Sequence, residues 1–90
     1  MPDKDQQFHT GHRDRLKEKF LDKKLVEYEQ LELLLCYAIP RRDVRPLARK
    51  LIQHFGSVYY VLNANIDDLM AVDGVGHSTA VLIKLVHSLI

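Results

Sequence analysis

Ninety residues, nearly half of them hydrophobic and 28% charged, suffice for one compact domain and are too few for two. The single cysteine, Cys36, excludes an internal disulfide, and the most apolar run, LELLLCYAI, is only nine residues long and holds Glu32, too short to cross a bilayer. No charged-then-apolar leader opens the chain, so the expectation is a soluble cytoplasmic protein with no membrane partner. The net charge of +1 conceals an uneven distribution, with +4 over residues 11–55 and −2 over residues 56–90.

The polar start MPDKDQQ marks residues 1–10 as a flexible N-terminus. From Gly11 to Asp22 a charged segment carries Leu16 and Phe20 four apart, the narrow stripe of a mostly solvated helix. Arg13, Arg15, Lys17 and Lys19 alternate there with Asp14, Glu18 and Asp22, which reads as internal pairing. Tyr28 to Ile39 is apolar nearly all round and predicts the central helix of the core, stopped by Pro40. Asp43 is placed to cap the next helix, and Pro46 falls in its first turn. Val44, Leu47, Ala48, Leu51, Ile52 and Phe55 then follow helical spacing, with Gly56 as the C-terminal cap.

Ser57 predicts a short helix to about Leu62, and Asn65 another to about Ala71. A last helix is marked by Ala80, Ile83, Val86, Ile90 and, less clearly, Leu85. No segment alternates at period two. The fold class is all-α, a bundle of five or six short helices forming one domain over residues 11–90.

Between the last two helices stands VDGVGHSTAV, Val72 to Val81. A helix, a DGVG turn and a second helix make a helix-hairpin-helix pattern over about residues 66–89. Glycine permits positive φ and removes a Cβ that blocks close approach, and Val75 can plug the core. The amides of Gly76, His77 and Ser78 lack intrahelical partners, and such a helix start favours an anion such as a backbone phosphate. Without a third glycine after a strand, or Gly-Lys-Ser/Thr, the loop is neither a dinucleotide fold nor a Walker loop. The plain alternative is a packing turn, favoured by Asp73 at its mouth and by Ser78, where related DNA-binding hairpins often carry lysine.

Upstream, Arg41, Arg42, Arg45, Arg49 and Lys50 oppose Asp43 alone within ten residues. On a helix, Arg45 and Arg49 share a face away from the apolar stripe, a concentrated patch for an acidic partner, although a charged face can serve solubility alone. His9 and His12 do not make a metal site without further ligands and read as a surface pair. Cys36 reads as an inert core thiol. Glu27, Glu29 and Glu32 form the polar edge of the core helix. Of Tyr59 and Tyr60, one is expected in the core and the other half exposed. No catalytic residue, metal, cofactor or small-molecule substrate is expected.

With GHRDRL at Gly11–Leu16, LELLLCYAIPRRDVRPLARKLI at Leu31–Ile52, FGS at Phe55–Ser57 and VDGVG at Val72–Gly76, the chain resembles the N-terminal domain of the bacterial RadC family, proteins named for DNA repair. Members join such a domain to a C-terminal metalloprotease-like domain of the JAB/MPN type, whose zinc pattern is His-x-His followed by aspartate. This chain has no His-x-His, so no metal ligand or catalytic residue carries over. The resemblance implies nucleic-acid binding. The leading expectation is a non-enzymatic domain that binds DNA weakly through backbone phosphates, using Arg41, Arg42, Arg45, Arg49 and Lys50 with the amides of Gly74, Gly76, His77 and Ser78. The alternative is an interaction or regulatory module that docks on the metalloprotease-like domain or another subunit.

Overall fold

The computed structural model describes the backbone of residues 4–90 and the side chains of residues 11–90. Its elements are α1 (Lys4–Leu21), α2 (Glu27–Ala38), α3 (Arg45–Phe55), α4 (Val58–Asn63), α5 (Ile66–Met70) and α6 (His77–Ser88), with no strand among the described residues. The all-α expectation holds. Helix α1 starts at Lys4 rather than Gly11, so its backbone takes in most of the stretch expected to be flexible.

Helix α2 is central, packing against α1, α3, α4 and α6. Leu31 and Leu35 on α2, Leu16 on α1 and Leu51 on α3 are buried together with Val61, Leu69 and Ile83. Leu31 and Leu35 on α2, and Leu47 and Leu51 on α3, lie four apart and so share one inward face, and burying such side chains is worth roughly 1.5–3 kcal/mol each. At the outer end of α6 the periodicity misleads: Leu85 is 53% exposed and Ile90 89%.

Local chemistry sets the boundaries. Lys23, at φ 60°, closes α1 in the left-handed region. The Ser57 hydroxyl accepts from the Tyr60 amide (3.2 Å), and Asn65 Oδ1 accepts from the Asp68 amide (2.8 Å), as their positions predict. Asp43 acts one position earlier than expected. Val44 is the N-cap residue of α3, while Asp43 Oδ1 accepts from the Arg45 amide at 3.0 Å.

Two charged groups expected to pair within their own helix reach α2 instead. Arg13 Nη1 donates to the Cys36 carbonyl (2.7 Å), and its Nη2 donates to those of Ile39 (2.9 Å) and Arg42 (3.2 Å). It therefore occupies the C-terminal end of α2, where the last carbonyls lack intrahelical partners. Lys19 Nζ reaches Glu29 Oε2 at 2.8 Å, joining α1 to α2, and that contact holds the Glu29 carboxyl below its ordinary range.

Glu32 departs furthest from its expected place on a polar edge. It is 1% exposed within the core. Its Oε2 lies 3.2 Å from His12 Nε2, whereas its Oε1 has no hydrogen-bond partner among the described residues. Burial pushes the Glu32 carboxyl up from the usual carboxylate range. His12 thus turns into the α1–α2 seam instead of forming a surface pair, and the side chain of His9 lies outside the described residues.

Candidate nucleic-acid interface

The glycine turn is built from its two valines. Val72 and Val75 are both buried, and the Val75 amide donates to the Val72 carbonyl at 3.0 Å, closing the turn over the core. Gly74 has φ +100°, and a Cβ there would meet Leu47 Cδ1 at 3.2 Å. Both conformation and close approach to α3 require glycine at that position.

Gly76 differs. It is the extended N-cap of α6, at φ −87° and ψ 177°, and a Cβ built on it meets nothing within 4 Å. Its neighbours His77 and Ser78 are exposed, and Thr79 is buried. The first backbone bond of α6 runs from the Ala80 amide to the Gly76 carbonyl, at 3.0 Å. The amides ahead of it stand at the positive end of a twelve-residue helix.

Folding brings this turn against the basic helix. Lys50 Nζ donates to the Asp73 carbonyl at 3.2 Å. Arg42, Pro46 and Leu47 then join Lys50, Asp73 and Gly74 around a cleft of about 240 Å³. The two features lie a helix and more apart in sequence and are one surface in space. Arg41, Arg42, Arg49 and Lys50 are all exposed.

Arg45 stands apart from them. Its Nε and Nη2 donate to the two Asp43 oxygens at 2.9 and 2.8 Å, a bidentate pair. That pairing holds the Asp43 carboxyl down at about 2 and raises the Arg45 guanidinium further. Arg45 therefore shares its charge with Asp43, leaving Arg41, Arg42, Arg49 and Lys50 as the exposed cations of the patch. The pairing was readable in principle, since Asp43 and Arg45 flank the start of one helix.

Tyr59 and Tyr60 were expected to divide between core and surface. Both are exposed, 67% and 59%, with their rings edge to face 5.6 Å apart. Cys36 is buried as expected, and burial raises its thiol. Glu27, read as part of a polar edge, accepts the Val58 amide at 2.7 Å and so completes the start of α4.

Over 92 aligned residues the chain is 42% identical to a UPF0758 protein of Fusobacterium nucleatum subsp. nucleatum, covering 99% of this chain. The chain is similar to part of that UPF0758 protein. It spans 38% of that relative's length. No family model matches the chain, and no solved structure matches it. No helix among the described residues is long and apolar enough to cross a membrane.

Proposed function

We propose that this chain is a non-enzymatic, cytoplasmic DNA-binding region of a RadC-like repair protein, gripping the phosphate backbone without reading sequence. The observation that carries the reading is the contact of Lys50 with the Asp73 carbonyl, which seats the hairpin turn on the basic helix. Arg41, Arg42, Arg49 and Lys50 neutralise phosphates, and the amides of His77 and Ser78 hold one at the start of α6. Gly76 leaves space for it, since no side chain intervenes there. The family-level link to DNA repair proteins through the relative supports the same reading. A metalloprotease-like domain of the kind the resemblance implies would be this chain's neighbour in a longer parent protein.

Titration of duplex DNA at several salt concentrations tests it. With about four phosphates neutralised, log affinity falls with log salt at a slope of about −3.6, and dissociation constants lie around 10⁻⁴–10⁻⁶ M for every sequence. Binding indifferent to salt overturns the reading.

A further inference from the structure

A second and larger cavity, of about 650 Å³, lies on the α1–α2 seam, walled by Phe20, Leu21, Leu25, Leu33, Leu34 and Val86. A smaller neighbouring cavity shares Phe20, Leu25 and Gln30 with it and is lined in addition by Lys23. Phe20 is 56% exposed, Leu21 77% and Tyr37, at its edge, 68%. Apolar side chains gathered this densely around an open groove mark an interaction surface rather than scattered surface residues.

The charges of the groove are as informative as its walls. Lys17 lines the groove and Lys23 the smaller cavity beside it, and no acidic side chain among the described residues lines either. Lys17 Nζ sits 6.0 Å from the centre of the Tyr37 ring, and Lys23 follows the last turn of α1. Lys17 stands within α1 and Lys23 two residues past its end. An apolar groove bordered by two cations is complementary to an amphipathic helix with acidic flanks.

No helix of residues 11–90, whose side chains are described, presents such a face. The outward apolar residues of α6, Val81, Leu85 and Leu89, stand in a stretch from His77 to Ile90 without any Asp or Glu. Acidic α5 is five residues long and buries Leu69. We propose that the α1–α2 groove docks an amphipathic helix of another protein. Its apolar face sits on Phe20, Leu21, Leu33 and Leu34, and its acidic flanks face Lys17 and Lys23. The inference is independent of DNA binding, which uses α3 and the start of α6.

A displayed library of 14-residue helical peptides, selected on the 90-residue chain and counter-selected on its Leu21→Glu variant, tests the proposal. Leu21 is exposed, so that variant removes no core contact, and circular dichroism checks its fold. Enriched peptides are expected to carry apolar residues at i, i+3, i+4 and i+7 with Asp or Glu at the flanks. In ¹H–¹⁵N spectra the best of them shifts Lys17, Phe20, Leu21 and Tyr37. The Lys17→Glu/Lys23→Glu double variant weakens it roughly tenfold and prefers a lysine-flanked version of the same peptide. Failure to enrich any peptide, enrichment of neutral or basic flanks, or indifference to the charge reversal overturns the proposal. So does sedimentation as a dimer that Leu21→Glu dissociates, which assigns the groove to a second copy.

Discussion

Arg13 on α1 and Arg49 on α3 carry the same side chain in comparably charged helices, yet they have opposite uses. Arg13 gives its guanidinium to three carbonyls at the end of α2 and the turn beyond, while Arg49 faces solvent. The charge count of a segment fixes the field it contributes, but geometry decides which cations remain available to a partner. Asp43 makes the same point within one patch, since it pairs with Arg45 and leaves Arg42 and Lys50 at the cleft.

The largest effect should come from Arg13→Ala. It strips charge-assisted donors from three carbonyls near a buried helix end and is expected to destabilise the fold by about 2–3 kcal/mol. In a domain of this size that lowers the melting temperature by roughly 10 °C or more. Arg49→Ala should stay within about 0.5 kcal/mol of the parent. Urea melts of the two variants check the contrast, and equal stabilities would break it.

A second contrast, between charges inside and at the surface, can be read from pH. The Glu32 carboxyl is raised above 4.5 by burial, with His12, Glu29 and Arg45 as its charged or titratable neighbours. The folded chain then binds more protons than the unfolded one above pH 4.5, so this group makes stability fall as pH rises through its folded value. Asp43, at about 2 against an ordinary 3.8, acts in the opposite sense. Its contribution is complete above 3.8 and is lost as pH falls toward 2. Glu29, lowered by Lys19, behaves like Asp43 below 4.5. Glu32→Gln is expected to raise stability at pH 7 by about 1 kcal/mol and to flatten the fall of stability above pH 4.5. Denaturant melts from pH 3 to 8 measure both, and an unchanged fall above pH 4.5 would remove Glu32 as its cause.

These contrasts show what periodicity conveys and what it cannot. Apolar patterning marked α1, α2, α3 and α6 because each turns apolar residues to the core, whereas the short α4 and α5 were marked by their caps. Ser57 and Asn65 were legible because a cap acts within three residues of itself. Arg13, Glu32 and the α1–α2 groove were not, since their partners lie about 20 or more residues away. The same limit applied to the candidate interface: GVG and the arginines were each visible, but only the tertiary contact from Lys50 to Asp73 makes them one surface. Arg41, Arg42 and Arg49 remain exposed, so removal of any one should weaken duplex binding and reduce the salt slope by about 0.9. Fluorescence anisotropy with Arg49→Ala measures this, and an unchanged slope would take Arg49 out of the interface.

The smallest expected effect is the most selective. A lysine added anywhere raises affinity for DNA by its diffuse field, so a local role for the hairpin must be separated from charge alone. Ser78 and Ser88 lie on the same helix, in its first turn and at its last residue. Ten residues of helix place them about 15 Å apart, beyond a Debye length in physiological salt. Both are exposed, so Ser78→Lys and Ser88→Lys alter no core packing. If a phosphate rests at the start of α6, Ser78→Lys should tighten binding and steepen the salt slope by up to about 0.9, while Ser88→Lys changes the slope little. Asp73→Asn should also tighten binding, because it removes a carboxylate from the cleft wall. If the two lysines give equal gains, the hairpin only turns a corner and any binding belongs to α3 alone.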